Sequence, residues 1–530
     1  MKTNILSLLA IAGLLSFSGC ANDDTTNKEE QQELGTEGLT SFVEEDNATR
    51  TTGEYDGSGL NFYWTEGDRL WVHNTAATPA LRQDAQNNIS DLLVANPTTP
   101  TGVKRAAKAS FSFQGTYTAS SYPVRYTGKG NANGDKVTIK AAQSQTIPND
   151  ASHIGEDGDC GVATATKPAG SNKYHFTLGH EASYATFLPY NSNGLVADFV
   201  IQKITLIADQ ALCGTFDFND SGIDTGSRPA PTATNKVVEL TLNNFAIPAT
   251  ATPATNAATA VIAPGSYTNF TVVYTLHNPI TNQTGTVTKQ YPGTVTFTKG
   301  KNKKISQDLP PTYSADGYYM WDAKQNYWYS HLDANGQPDG NYPQNKTSDP
   351  DRWYNEVPGY SDPTGAAPAV TASNTAAGCP NVNEILWYMK GDPHYDDAEL
   401  WAFMGHLYTG SMWFKKKEHI SGYSANKAPD GINYPRYTAD YASGATYGPG
   451  IIQSRPAASD LNNYFNLPML GQYFNGKLLS LGTTGLYWSN TPIYAPSRNV
   501  YAIEFTKDYI YLVSSTRNTS AQGFRLWTAQ

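Results

Sequence analysis

The run Gly485–Trp527, GLYWSNTPIYAPSRNVYAIEFTKDYIYLVSSTRNTSAQGFRLW, restricts the fold more than any other stretch of the chain. In Asn499–Phe505 the apolar Val500, Ala502 and Phe505 alternate with other residues, and Tyr509–Val513 (YIYLV) is β-branched and aromatic. Two strands are therefore expected, with Lys507-Asp508 as the turn of a hairpin. Tyr487 and Trp488 before them, and Phe524, Leu526 and Trp527 after them, put large rings where a small domain needs core volume. Such a pattern predicts a β-structured domain that closes on its own C-terminal segment.

The chain has 530 residues, more than one core can organise, so roughly two to four domains are expected. The formal net charge is −10, the isoelectric point is near 5.4, and no basic run is interleaved with aromatics. Nucleic acid is not an expected partner. Cys160, Cys213 and Cys379 are scattered and show no metal-ligand spacing. Buried thiols are expected, with a Cys160–Cys213 bridge as the alternative.

Met1–Cys20 carries Lys2, an apolar run Ile5–Leu15, and then Phe17-Ser18-Gly19-Cys20. It reads as a secretory signal too short to span a membrane. The small pair before the cysteine resembles a bacterial lipobox, with Phe17 where leucine is usual. The resemblance implies that Cys20 becomes a lipidated first residue; an ordinary secreted cysteine is the other reading. Asp23, Asp24, Glu29, Glu30, Glu33 and Glu37 follow with almost no apolar partner, as in a disordered tether. Acidic residues in that place resemble the surface-export signal of Bacteroides lipoproteins, which implies the outer face of the outer membrane.

From Leu39 to Leu309 short alternating runs are separated by turn clusters. Val238, Leu240 and Leu242 alternate with polar residues, as do Phe270, Val272, Tyr274 and Leu276 with their neighbours. Period two with one wet face predicts antiparallel sandwich strands. Asn131–Asp135 is placed to join Val124–Tyr126 to Val137–Ile139 as a hairpin, and Trp64 and Trp71 are expected as core anchors.

Five phrases in order resemble the fimbrillin family, the pilus subunits of Bacteroidetes. They are ATRTT with WTEGDRLWV, AAQSQTIPND, LGHEASYATF, IAPGSYTNFTVVYT and FTKGKNKKISQDL. The resemblance implies two transthyretin-like β-sandwiches, lipoprotein export, and maturation by an arginine-specific protease. It places the cut between Arg50 and Thr51, in the polar segment after the strand-like Leu39–Val43, where a protease can reach the backbone. It also implies other fimbrillin subunits as partners, joined by β-strand donation into the groove that the cut opens.

Pro310-Pro311 breaks the chain, and eight of the ten tryptophans lie beyond it, so a separate domain is expected there. The ring-dense Gly317–Tyr329 is expected to pack as a connector, or else to stack on sugar. Asp397 can cap a helix with Leu400, Phe403, Met404 and Leu407 on one face, and Cys379–Lys390 can form another with Ile385, Leu386 and Met389 inward. His394 and His406 are expected to be structural. Asp333–Gly340 is oxygen-rich, but Pro338 replaces the sixth-position glycine and Gln344 the final glutamate of an EF-hand. A nucleophile elbow, zincin helix, P-loop and dinucleotide glycines are all missing, so neither an enzyme nor a cofactor or metal site is expected.

YWSNTP, NVYAIEF and GFRLW, preceded by NYFNLPMLGQYFNGKLLSLGTTG, resemble the Fibrobacter-type major paralogous domain over Cys379–Trp527. That family is related to C-type-lectin-like folds, so the resemblance implies an α+β lectin-like domain. The expected layout is a signal peptide (1–20), an acidic tether and removable pro-segment (21–50), and two sandwiches (51–185 and 186–310). An aromatic connector (311–378) and the lectin-like domain (379–530) complete it. The fold class is mainly β. The leading functional expectation is a pilus subunit at or near the tip with an adhesive head for a glycan or protein ligand, lipid-anchored in the outer membrane before maturation. The alternative is a monomeric surface lipoprotein that captures glycans. Trp321, Trp328, Tyr329, Trp488 and Asn490 are the candidate ligand contacts. A strand donor must be free, whereas Phe524, Leu526 and Trp527 are expected to close the head; the subunit would then accept a strand but not give one.

Overall fold

A computed structural model of the chain describes residues 38–44, 53–99, 101–356, 371–434, 450–493, 499–516 and 521–530. Strand accounts for 42% and helix for 9%, so the protein is mainly β, as its alternating runs require. The strands enclose three large apolar clusters among the described residues.

The first cluster lies under a sheet in which Leu81–Gln83, Trp71–His73, Ser121–Tyr126, Gly161–Thr166, Tyr174–Phe176, Leu39–Glu44, Ser110–Gln114 and Gln86–Asn87 follow one another. Trp64 is fully buried there, edge-on to Phe111 at 4.9 Å and Tyr126 at 5.7 Å. Trp71 is only half-buried and lies against Gly134.

The second cluster is covered by Ala142–Gln145, Val237–Ala246, Val200–Ile207, Thr271–Asn278 and Gln283–Gln290 on one side, and by Ala258–Ile262, Ser183–Tyr190 and Asn302–Asp308 on the other. Val238, Leu240, Leu242, Phe270, Val272, Tyr274 and Leu276 all point inward, as their alternation predicts. Gln143 and Gln145 stitch the two sheets together. The Gln143 amide accepts from Val261 N at 2.9 Å and donates to Val261 O at 2.8 Å, while Gln145 accepts from Thr259 N and donates to Ala257 O. Each side chain thus mimics the backbone of a missing strand and satisfies the edge of Ala258–Ile262.

The hairpin expected around Asn131–Asp135 does not form. Ser121–Tyr126 pairs with Gly161–Thr166 and Trp71–His73, whereas Lys136–Ile139 pairs with Gly214–Asn219. The chain crosses from the first core to the second at this turn, and Val137, Ile139 and Ile154 belong to the second cluster. The division between the two lobes is consequently not a single cut in sequence. Cys160 and Cys213 are buried free thiols rather than a bridge, and burial pushes the Cys213 thiol up to about 11.

In the C-terminal part, helix Val382–Lys390 starts at Asn381, whose side chain accepts from Glu384 N while Glu384 reaches back to Asn381 N. Ile385, Leu386 and Met389 face the core, as expected. The helix predicted over Asp397–Leu407 is instead a hairpin of His394–Phe403 and His406–Lys415. Met404 and Gly405 both have positive φ, 47° and 79°, so they form a two-residue turn that a helix would not contain. Trp401 and Tyr408, opposite each other, stack at 4.9 Å. The apolar spacing that suggested a helix arises from residues facing different neighbours: Leu400 enters the second core, Trp401 and Phe403 the third.

The same hairpin joins the head to the second lobe. Glu399 bridges in parallel to Thr286, so one sheet runs from Ala142–Gln145 through the second lobe to Tyr464–Pro468. The buried Glu399 carboxylate accepts from Thr288 N at 2.7 Å and from the Thr286 and Thr288 hydroxyls, each at 2.9 Å. Arg455 lies 3.3 Å away. Burial raises the Glu399 carboxyl above the usual range, and Arg455 opposes that rise.

Candidate functional site: the slot of the first strand

Leu39–Glu44 (LTSFVE) folds as a strand because Phe42 and Val43 are apolar and β-compatible and no breaker interrupts them. It is not an edge. It runs antiparallel to Ser110–Gln114, from Leu39 opposite Gln114 to Val43 opposite Ser110, and parallel to Tyr174–Phe176 through Phe42, Val43 and Glu44. Its removal would split the nine-stranded sheet, in which Gly179–His180 also pairs with Gly161–Thr166, into a six-strand and a two-strand part and expose two unpaired edges. Neighbouring strands lie about 4.8 Å apart, so the gap would admit one further strand.

One side chain dominates the slot. Phe42 is fully buried, stacked on Tyr174 at 4.7 Å and 12°, and edge-on to Phe113 at 5.0 Å and Tyr117 at 5.5 Å. Glu44 is also fully buried; its carboxylate accepts from Leu178 N at 3.1 Å and its own N–H donates to Ala109 O. A strand that enters this slot needs an aromatic or large apolar residue at the Phe42 level and backbone pairing on both sides.

The chain leaves the slot at Glu44 and reappears at Gly53, whose N–H donates to Ala151 O beside the second core. Phe62 then stacks on His180 at 3.7 Å. The two ends of this connection are thus anchored in different cores. Arg50 and Thr51, and also Cys20, lie outside the described residues.

The expected ligand contacts do not form a surface. Trp321, Trp328 and Trp488 are 1%, 0% and 0% exposed, so none offers a ring face to a sugar. The Trp321 indole donates to Ser489 O at 2.9 Å and Trp488 to Tyr319 O at 2.7 Å, and Trp488 stacks on Phe524 at 4.0 Å. All three are core groups: Trp321 and Trp488 have a satisfied indole N–H, while that of Trp328 is buried without a hydrogen-bond partner. Asn490 is half-buried and holds neighbouring loops by its backbone, donating to Pro380 O and accepting from Ala372 N. Tyr329, with 47% of its surface accessible, is the one exposed member of the set. Among the described residues no group of three or more His, Cys, Asp or Glu is placed to hold a metal.

No family model and no curated protein matches the sequence. Among solved structures, the chain is similar to a candidate cell adhesion protein from Bacteroides ovatus ATCC 8483. The identity is 15%, 51% of this chain and 94% of that chain are covered, and the TM-score is 0.28. A fimbrial assembly protein from Parabacteroides distasonis ATCC 8503 is 13% identical over 51% of this chain and 90% of that one, with a TM-score of 0.25. A fimbrial protein from Bacteroides ovatus ATCC 8483 is 12% identical, covers 91% of this chain and 98% of that one, and has a TM-score of 0.20.

Proposed function

We propose that the chain is a fimbrillin-type pilus subunit of the cell surface, assembled by strand exchange, with an adhesive C-terminal head. The observation that carries this reading is the inner position of Leu39–Glu44, paired on both sides and tethered through a polar segment that contains Arg50. In this reading Cys20 is lipidated and anchors the precursor in the outer membrane. Cleavage between Arg50 and Thr51 then frees the first strand, and a strand of another subunit fills the slot. The two N-terminal cores correspond to transthyretin-like sandwiches and the third to a lectin-like head. A place at or near the tip is supported by Phe524–Arg525, which pairs with Tyr318–Tyr319 and Gly485–Pro492 inside the head and so is engaged, not free to be donated.

The test uses the full chain and an arginine-specific protease. N-terminal sequencing of the assembled material should begin at Thr51. The cut chain should take up a labelled LTSFVEED peptide that the uncut chain ignores. Uptake by neither form, or polymers that retain an intact Cys20 start, would overturn the reading.

A further inference from the structure

A cleft lies where the head meets the second lobe. One chamber of about 290 Å³ is lined by Gln290, Tyr313, Asn466, Tyr487, Arg525 and Trp527. A second, of about 220 Å³, shares Gln290, Tyr313 and Asn466 with it and extends to Glu399 and Ser411. Each is near the small end of ligand-holding cavities, which begin at about 300 Å³, a size for one sugar unit and not for a strand or an apolar chain.

The chemistry of the walls is uneven. Arg525 is half-buried; its guanidinium donates to Ser314 O at 3.1 Å and lies over the rings of Tyr313 and Tyr318 at 5.6 and 5.0 Å. Gly317 makes room for it, since a Cβ there would stand 2.0 Å from Nη1. The arginine ion pairs among the described residues involve Arg69, Arg105, Arg125, Arg352 and Arg455, and not Arg525. At the other end Glu399 is already matched by Arg455, while the fully buried Ser411 Oγ has no hydrogen-bond partner. Between the two ends stand the neutral amides of Gln290 and Asn466. A buried hydroxyl without a partner is costly and marks a place where a polar group is accommodated.

We propose that this cleft binds a carboxylate-bearing sugar unit, its carboxylate on Arg525 and its hydroxyls toward Gln290, Asn466 and Ser411. A guanidinium supplies the planar fork that a carboxylate matches, and neutral amides and hydroxyls suit a polyol. A multiply charged phosphate is less well matched, because Arg525 is the one cationic side chain lining the first chamber and Lys289, which lines the second, is exposed to solvent. The inference rests on the reading of the C-terminal part as the ligand-presenting region. Strand uptake by the first lobe is measured separately, so either can fail alone.

The experiment is ligand-observed NMR titration of the full chain with D-galacturonate, its methyl ester, D-galactose and N-acetylneuraminate. Galacturonate should bind at least about ten-fold more tightly than the ester or galactose, which differ from it by the charge. The neuraminate arm tells whether the carboxylate alone suffices or the pyranose must be a hexuronic acid. Arg525→Gln should erase most of the acid preference, whereas Gln290→Ala should weaken acidic and neutral sugars alike. Should Arg525→Gln fail to fold, the acid-to-ester ratio of the wild-type chain still decides. Equal binding of acid and ester, no binding of any of the four, or a preference retained in folded Arg525→Gln would overturn the proposal.

Discussion

Leu39–Glu44 and Phe524–Arg525 both sit between two other strands, yet they are held by different means. The first is gripped by backbone ladders, over Leu39–Val43 on one side and Phe42–Glu44 on the other, with one buried ring, Phe42, as its anchor. The second is two residues long, and side chains hold it. Phe524 stacks on Trp488, the Trp527 indole donates to Trp488 O at 2.8 Å, and Trp527 packs near Tyr388 and Phe465. A ladder of main-chain bonds asks of a replacement strand only one large apolar side chain at the Phe42 level; a set of interlocked rings accepts no such substitute. In the proposed function, exchange belongs to the first lobe and permanence to the head.

The sharpest break of this comparison is deletion of Gly523–Gln530. Phe524 and Trp527 are 2% and 6% exposed, and loss of a buried aromatic costs about 3–5 kcal/mol each. Against a total stability of about 5–15 kcal/mol, the head should unfold. The two N-terminal cores should keep their own transition in calorimetry. A truncated head with unchanged melting would show that the segment is a detachable strand after all.

Phe42→Ala comes next, at about 3–5 kcal/mol in the uncut chain, read as an earlier transition of the first lobe alone. After cleavage and uptake of a wild-type LTSFVEED peptide, the variant and the parent should melt together, because the altered residue has left with its strand. A difference that persists would mean that the slot collapses around Phe42 rather than exchanging it.

Much of this was legible in the sequence, and the failures share a cause. Alternation identified the strands of the second core, and the apolar face of Ile385, Leu386 and Met389 marked the helix expected within Cys379–Lys390, which forms over Val382–Lys390. The Asp397–Leu407 reading went wrong because a spacing of 3, 1, 3 fits a helix face and also fits a hairpin whose strand divides its residues between two cores. Met404-Gly405 was the signal that could have told them apart. Asn131–Asp135 misled for a related reason, since a turn joins two strands without saying that they pair. Trp321, Trp328 and Trp488 carry ring faces that could stack on a sugar, but large apolar rings are also what a core selects, and the core has taken them. Nothing in the sequence marks the junction cleft, because Gln290, Glu399, Ser411 and Arg525 are far apart in the chain and belong to no motif.

The edge stitched by glutamines sharpens the comparison from within the N-terminal half, where a backbone edge is satisfied by side chains. Gln143→Ala leaves the N–H and C=O of Val261 without these bonds, at about 1–3 kcal/mol for each buried group left unpaired. Hydrogen exchange at Val261 should accelerate while amides of the head stay protected. Equal protection in both forms would show that water replaces the amide without cost.

The smallest effect concerns pH, and it too separates the two regions. In the N-terminal half, burial lowers His153 to about 4 and raises Asp157 to about 6. In the head, Tyr388 and Tyr473 are pushed up to about 12 and so act only above pH 10, and the raised carboxyl of Glu399 is common to the parent and to both variants, Asp157→Asn and His153→Gln. His153 must be neutral in the folded state, so the unfolded chain binds more protons between pH 4 and 6.5 and stability falls as the solution is acidified through that window. Asp157 has the opposite sign: the folded state holds its proton more firmly between about pH 4 and 6, and stability rises on acidification. Each contributes on the order of 1 to 2 kcal/mol between pH 7 and 5, so in the parent chain they largely cancel. Asp157→Asn should unmask the histidine and lower the melting temperature of the N-terminal half at pH 5 relative to pH 7, while His153→Gln should raise it. In either variant the contribution of the head should be unaltered from the parent over the same range. If both variants track the parent through pH 5, the two groups titrate as they do in the unfolded chain, and burial around Ile154–Asp157 does not control them.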